Sequence, residues 1–151
     1  MDEHASGVRP LREDPAIAAM LEQVCVATEM GFAAVAHVTD TRWIAWQVLD
    51  RIEFGLDAGD ELDLKSTICD DIRQSGRAKI IDQVSGDENW RTHPTPILYG
   101  FESYISFPIF RPDGRFFGTL CALDPAPRRL DTPAIVAMFE RFSDEIGALL
   151  D

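Results

Sequence analysis

Apolar residues recur at helical spacing near the start of the chain: Ile17, Met20, Leu21 and Val24, with Thr28 on the same face. Asp14 is a good N-cap, Pro15 suits the first helical position and Gly31 is a natural C-terminal stop. The period then changes. FAAVAHVTDTRWIAWQVLD, residues 32–50, is rich in β-branched and aromatic residues and breaks at Thr39-Asp40-Thr41, which reads as two strands of a hairpin. Trp43 and Trp46 fall on opposite faces of the second strand.

A glycine- and acid-rich loop, RIEFGLDAGDELDL, follows, and its acid run reads as solvated. KSTICDDIRQSG reads as a short helix ending before Gly76, and AKIIDQV as a short strand. SGDENWRTHPTPILYG is a long connection with a helical turn expected near Ile97. FESYISFPIF and FFGTLCALD are strands joined by RPDG, a turn with proline second and glycine fourth. In the last strand Thr119, Cys121 and Leu123 face one way, and Leu120 and Ala122 the other. The chain closes with a helix, DTPAIVAMFERFSDEIGALLD, capped by Thr132 or Asp131 and opened by Pro133. Its apolar stripe is Ile135, Phe139, Phe142, Ile146 and Leu149.

Tight turns between strand pairs give antiparallel ladders, so this order predicts an α+β domain with helices covering at least one face of one sheet. Residues 1–13 read as a flexible arm and 14–151 as a single domain. Val136, Met138 and Leu150 on the last helix, with Ala18, Ala19, Val26 and Ala27 on the first, lie off the two stripes. They predict a second apolar surface and a homodimer through the terminal helices.

The formal net charge of −12 repels phosphate backbones and anionic lipids, and the fourteen basic residues form no patch. Nucleic acid and membrane are therefore not expected partners. No apolar stretch approaches the roughly 18 residues that span a bilayer. Cys25, Cys69 and Cys121 lie far apart, without a CxxC, and the N-terminus is polar and acidic. This pattern predicts a reducing, cytoplasmic location.

Cys121 has no cationic neighbour in sequence to lower its pKa and reads as a small apolar strand residue. Cys69 stands near a helix start, where the dipole favours thiolate, but Asp70 and Asp71 oppose that effect. His4, His37 and His93 do not pair at ligand spacing, so no metal site is predicted. Trp90, His93, Tyr99, Phe101 and Tyr104 crowd into one stretch of mostly loop. Rings with polar ends suit a concave small-molecule site, or else roof the second face of the sheet. Asp82 serves either a ligand or, by preference, a turn cap.

TICDDIRQSGRAKIIDQV, HPTPILYGFESYISFPI and RPDGRFFGTLCALDPAPR together resemble the GAF domain family, in the form found in bacterial sensor histidine kinases and diguanylate cyclases. The resemblance covers residues from about 15 to 150. It implies an antiparallel six-stranded sheet with the N- and C-terminal helices on one face and, on the other, a pocket under loops and short helices. The pocket residues would be Trp46, Cys69, Asp82, Trp90, His93, Tyr99, Phe101, Tyr104 and Cys121, with Trp46 taken to face the loops. The resemblance implies a sensory module that binds a small molecule, dimerises, and signals along its last helix to a histidine kinase or diguanylate cyclase effector. Either the chain acts alone or its effector lies beyond Asp151. The cofactor is not specified. Two GAF branches offer alternatives. Bilin-binding domains commonly place histidine after the attachment cysteine, whereas Asp70 follows Cys69. Free methionine sulfoxide reductases cluster cysteines in the pocket loops, whereas residues 85–100 hold none. A purely structural dimerisation domain is the third alternative. The expected protein is not an enzyme.

Overall fold

Asp14 caps the first helix: its Oδ1 accepts the backbone N–H of Ala16 at 2.7 Å and of Ile17 at 3.4 Å. The computed structural model describes residues 14–55, 59–62, 69–87 and 100–150, and of residues 62 and 69–71 the backbone alone. Helix α1 is Pro15–Thr28 and buries Ile17, Met20, Leu21, Val24, Cys25 and Thr28. It stops earlier than Gly31, at Glu29, which takes the left-handed conformation with φ 61°. Gly31 serves a close approach instead. A Cβ there would lie 2.1 Å from Ile52 Cγ2.

Six strands form one sheet: β1 (Phe32–Val38), β2 (Trp43–Asp50), β3 (Glu61–Leu62), β4 (Lys79–Ile81), β5 (Ser103–Phe110) and β6 (Phe116–Asp124). Their order is β3-β2-β1-β6-β5-β4 and every neighbouring pair is antiparallel. β3 is two residues long, so the body of the sheet is five strands with a short edge. Arg42 ties that edge down with paired bonds to Glu61, at 3.0 and 2.6 Å. The β5–β6 turn closes through Gly114 N–H donating to the Arg111 carbonyl at 2.8 Å, and Gly114 takes the expected positive φ, 88°.

Helix α2 (Cys69–Ser75) ends at Gly76, which has φ 71°. Helix α3 (Pro133–Ala148) is capped by Thr132, whose hydroxyl accepts Ile135 N–H at 3.3 Å. Its buried stripe is Phe139, Phe142, Ser143, Ile146 and Gly147. Leu149, expected on that stripe, is 42% exposed, while Leu150, expected off it, is buried in the core. Ordinary helical periodicity explains this, since Leu150 follows Phe139 by about three whole turns, and Gly147 packs closely: a Cβ there would lie 2.3 Å from the Phe110 carbonyl oxygen.

α1 and α3 cover one face of the sheet, and their core includes Ile17, Leu21, Phe107, Phe117, Phe139 and Phe142. Two bulges shape that face. β2 carries an extra residue at Trp46, since Val35 pairs with Gln47 and Ala36 with Ala45. β6 carries one at Phe117, since Ile109 pairs with Gly118 and Phe110 with Phe116. Trp46 and Phe117 meet edge to face at 5.0 Å, with the His37 ring 5.5 and 4.4 Å from them. Trp46 therefore faces the terminal helices and not the loops. Trp43 takes the opposite face.

Candidate ligand-binding site

Alternation along four strands brings small side chains together on the face turned away from α1 and α3. The pairs that share it are set by register. Lys79 stands opposite Ser106, Ser106 opposite Cys121, and Cys121 opposite Ala34. One step along, Thr119 stands opposite Ala36, and Ala36 opposite Ala45. The centre of this face is thus Ala34, Ala36, Ala45, Ser106, Thr119 and Cys121, all small and all buried. Larger groups form its rim. Phe101 stacks on Tyr104 at 5.2 Å, Phe32 contacts Phe54 at 5.0 Å, and Trp43 closes the far side. Ile72 of α2 is fully buried against the same face.

Two polar atoms here are buried without a hydrogen-bond partner: Ser106 Oγ and Trp43 Nε1. Such groups cost about 1–3 kcal/mol each when left unmade, so each demands an explanation. Lys79 is half-buried at the β4 edge and is the one cation that register puts on this face among the described strand residues.

Phe101, Tyr104 and Cys121 are brought together on this face. Asp82 is not. Its Oδ1 accepts the N–H groups of Leu130 at 3.0 Å and Asp131 at 3.2 Å, stapling the end of β4 to the segment before α3. That is the capping role. Trp46 belongs to the helix-side core. Cys69 is the first residue of α2, and its side chain lies outside the described residues, as do Trp90, His93, Tyr99 and the turn expected near Ile97. Sequence reasoning left Lys79, Ser106 and Thr119 out of the site, although it set Thr119 on the face of Cys121. Simple alternation from Tyr104 and Cys121 would have found the last two.

The described thiols are poorly arranged for redox work. Burial pushes the Cys25 thiol above its ordinary value, with Arg51 partly opposing. Cys25 sits in the helix-side core and Cys121 on the other face, and neither is in a disulfide. No group of three or more His, Cys, Asp or Glu able to hold a metal occurs among the described residues.

Among the described residues two hollows lie elsewhere. A cleft of about 340 Å³ is lined by Asp82, Asp87 and Asp131 with Ile80, Gln83 and Gly86. A groove of about 470 Å³ runs between α1 and α3, lined by Ala19, Glu22, Gln23, Val26, Ala27 and Met138. No helix among the described residues is long and apolar enough to cross a membrane.

No curated protein matches the chain. Solved structures do. The GAF domain of an Acinetobacter phosphoenolpyruvate-protein phosphotransferase superimposes with TM-score 0.69 at 11% identity, over 99% of this chain and 94% of that one. The type II free methionine-R-sulfoxide reductase of Thermoplasma acidophilum gives 0.69 at 12%, over 95% and 94%. The PixJ GAF domain of Thermosynechococcus elongatus, in its blue-light absorbing form, gives 0.69 at 10%, over 99% and 88%. At such identities the likeness is one of fold. The profile of the GAF domain family matches residues 13–150, nearly the whole chain, and the protein is therefore a member of the GAF domain family.

Proposed function

We propose that this GAF domain is a sensory module that binds a small molecule on the second face of its sheet and is not a catalyst. The observation that carries the reading is the floor of six small side chains ringed by Phe32, Trp43, Phe101 and Tyr104. The unpartnered Trp43 Nε1 and Ser106 Oγ support the same reading, since a ligand supplies the missing partners. Native mass spectrometry of the purified protein tests it. The expected spectrum contains an adduct that is lost on denaturation. An adduct-free protein whose melting temperature no metabolite library shifts would reject the reading.

The signal leaves through the terminal helices of a homodimer, toward a histidine kinase or diguanylate cyclase effector. The groove between α1 and α3 supports this part. Val26 on its lip is 67% exposed, and Met138 lines it beside Ala19 and Ala27. Leu150, being buried in the protomer's own core, drops out of the dimer surface. Val26→Glu together with Met138→Glu should convert a dimer into a 16.9 kDa species in sedimentation, with an unchanged circular dichroism spectrum. A wild type that is monomeric at all concentrations rejects the dimer. The charge of −12 argues against nucleic acid or an anionic membrane as the partner.

The Thermoplasma acidophilum relative makes a reductase the second reading. A dithiol mechanism needs Cα atoms within about 7 Å, and Cys25 and Cys121 are kept apart by the sheet itself. That leaves Cys69 with Cys121. Methionine sulfoxide turnover that disappears in the double alanine variant of these two residues would favour the enzyme over the sensor.

A further inference from the structure

We propose that Arg128 is a latch joining the connection between β4 and β5 to the C-terminal end of α1, so that a displacement at either is felt at the other. Arg128 Nε donates to the carbonyl of Glu29 at 2.9 Å, across 99 positions of sequence, and Nη2 lies 3.4 Å from Asp124 Oδ2. Glu29 is the C-cap of α1, and its carbonyl is one that a helix end leaves without an internal partner. A cation there also meets the negative end of the helix dipole. The backbone of the same arginine serves β4: its N–H donates to the Asp82 carbonyl at 3.0 Å. Asp82 Oδ1 in turn holds the N–H groups of Leu130 and Asp131. At the far end of the connection, Glu102 donates its N–H to the Asp124 carbonyl at 2.9 Å and accepts Val84 N–H at 2.7 Å. Ser103 Oγ donates to the Ala126 carbonyl at 2.8 Å. Both ends of the β4–β5 connection are therefore fastened to residues 124–131.

That segment is built to transmit a push. Pro125 and Pro127 each fix their own φ, so residues 124–128 form a strut and not a loose tether. Asp124 also reaches the end of α1, accepting Gly31 N–H at 2.9 Å, but it is a buried residue of β6 and moves only with the sheet. Arg128 lies outside the sheet with its side chain 32% exposed, so its guanidinium has a second position available, turned into water. Glu29 supplies the bias between the two. It holds φ 61° without being glycine, a sparsely populated conformation that persists only where its surroundings enforce it. Release of Arg128 lets this turn relax and opens the end of α1. Arginine suits the task because its planar fork serves a carbonyl and a carboxylate together, which an ammonium does not. The latch operates whether or not the second face holds a ligand.

Amide hydrogen exchange, read residue by residue by NMR in the whole chain, tests the latch by disturbing one end and reading the other. Asp82→Ala removes the acceptor for Leu130 and Asp131 and none of the hydrogen bonds of Glu29 or Gly31. It should raise exchange at Met30 and Gly31 on the order of tenfold, about what loss of a hydrogen bond to a charged group gives. Asp82→Asn, which keeps an acceptor oxygen, should not. Arg128→Met should raise exchange at the same two amides by itself, and in that background Asp82→Ala should add nothing there. Arg128→Lys keeps the charge without the fork and should break transmission in the same way. Ala34 and Leu120, fully buried in β1 and β6, should keep their protection in every variant. Unchanged Met30 and Gly31 in Asp82→Ala would overturn the latch. So would an Asp82→Ala effect that persists in either Arg128 variant, because the disturbance would then travel by another route. An equal rise at Ala34 and Leu120 would overturn it as well, since the whole sheet would be loosening and no latch would be needed.

Discussion

The two faces of the sheet are built from the same strands and nearly the same number of apolar positions, yet they are finished differently. The helix side interlocks large groups: Phe107 meets Phe139 at 5.5 Å, and Trp46 meets Phe117 edge to face. The bulges in β2 and β6 exist on that side, turning an extra aromatic ring from each strand into the helices. The other side keeps its large groups at the rim and its centre small. One face interlocks large side chains with the terminal helices, and the other buries a centre of small ones. The terminal-helix core and the proposed ligand site lie on opposite sides of one sheet.

The helix side should be where stability concentrates. Phe139 is fully buried between α3 and β5, and Phe139→Ala should cost about 3–5 kcal/mol, read as a lower urea midpoint. A loss below about 1 kcal/mol would mean that the helix-side core is not close-packed and that the contrast between the faces is false.

Neighbouring alanines of β1 sharpen the comparison, because they differ in face and in little else. Ala33 points into the helix-side core and Ala34 onto the floor, and both are 0% exposed. Ala33→Leu should overpack its core and cost about 1–3 kcal/mol. If a ligand occupies the second face as proposed, Ala34→Leu should cost less than this and should abolish adduct formation in native mass spectra. Equal destabilisation by the two leucines would show that the second face is as full as the first.

Much of this arrangement was legible in the sequence because it is local. Asp14 and Thr132 as caps, the RPDG turn and the alternation in FFGTLCALD each depend on a few adjacent residues. What failed was long-range. Alternation put Trp43 and Trp46 on opposite faces but could not say which face the helices would choose, since that depends on Ala36 pairing with Ala45 across a bulge. Lys79 and Ser106 are 27 positions apart, and only the register of β4 on β5 makes them neighbours. Asp82 likewise finds its partners, Leu130 and Asp131, far along the chain.

The β5–β6 turn belongs to neither face and serves as a control. Gly114 has φ 88° and open space around a would-be Cβ, so the cost of a side chain there is conformational alone. Gly114→Val should cost about 1 kcal/mol or somewhat more. Ligand binding should not change. A binding defect in this variant would mean that the rim of the sheet, and not only its second face, shapes the platform.

The smallest expected effect separates the two buried thiols. Burial raises the Cys25 thiol above its ordinary value of 9.0, against the opposing pull of Arg51. Below that value the thiol is protonated in both the folded and the unfolded chain, and the contribution to stability is constant. As pH rises past it, the unfolded chain gives up its proton first while the folded chain holds on. Stability then falls with pH until the folded thiol also ionises. Cys25→Ala removes this one contribution and leaves the other alkaline titrations in place, so the difference between the two proteins isolates it. Urea unfolding at pH 7 and pH 10 should therefore show a smaller alkaline loss in the variant than in the wild type. Iodoacetamide should also modify Cys25 in the native protein far more slowly than in urea, since both low thiolate content and the helix cover protect it. Parallel pH dependence in wild type and variant, with rapid native alkylation of Cys25, would mean that the helix side admits solvent and is not the closed face of the sheet.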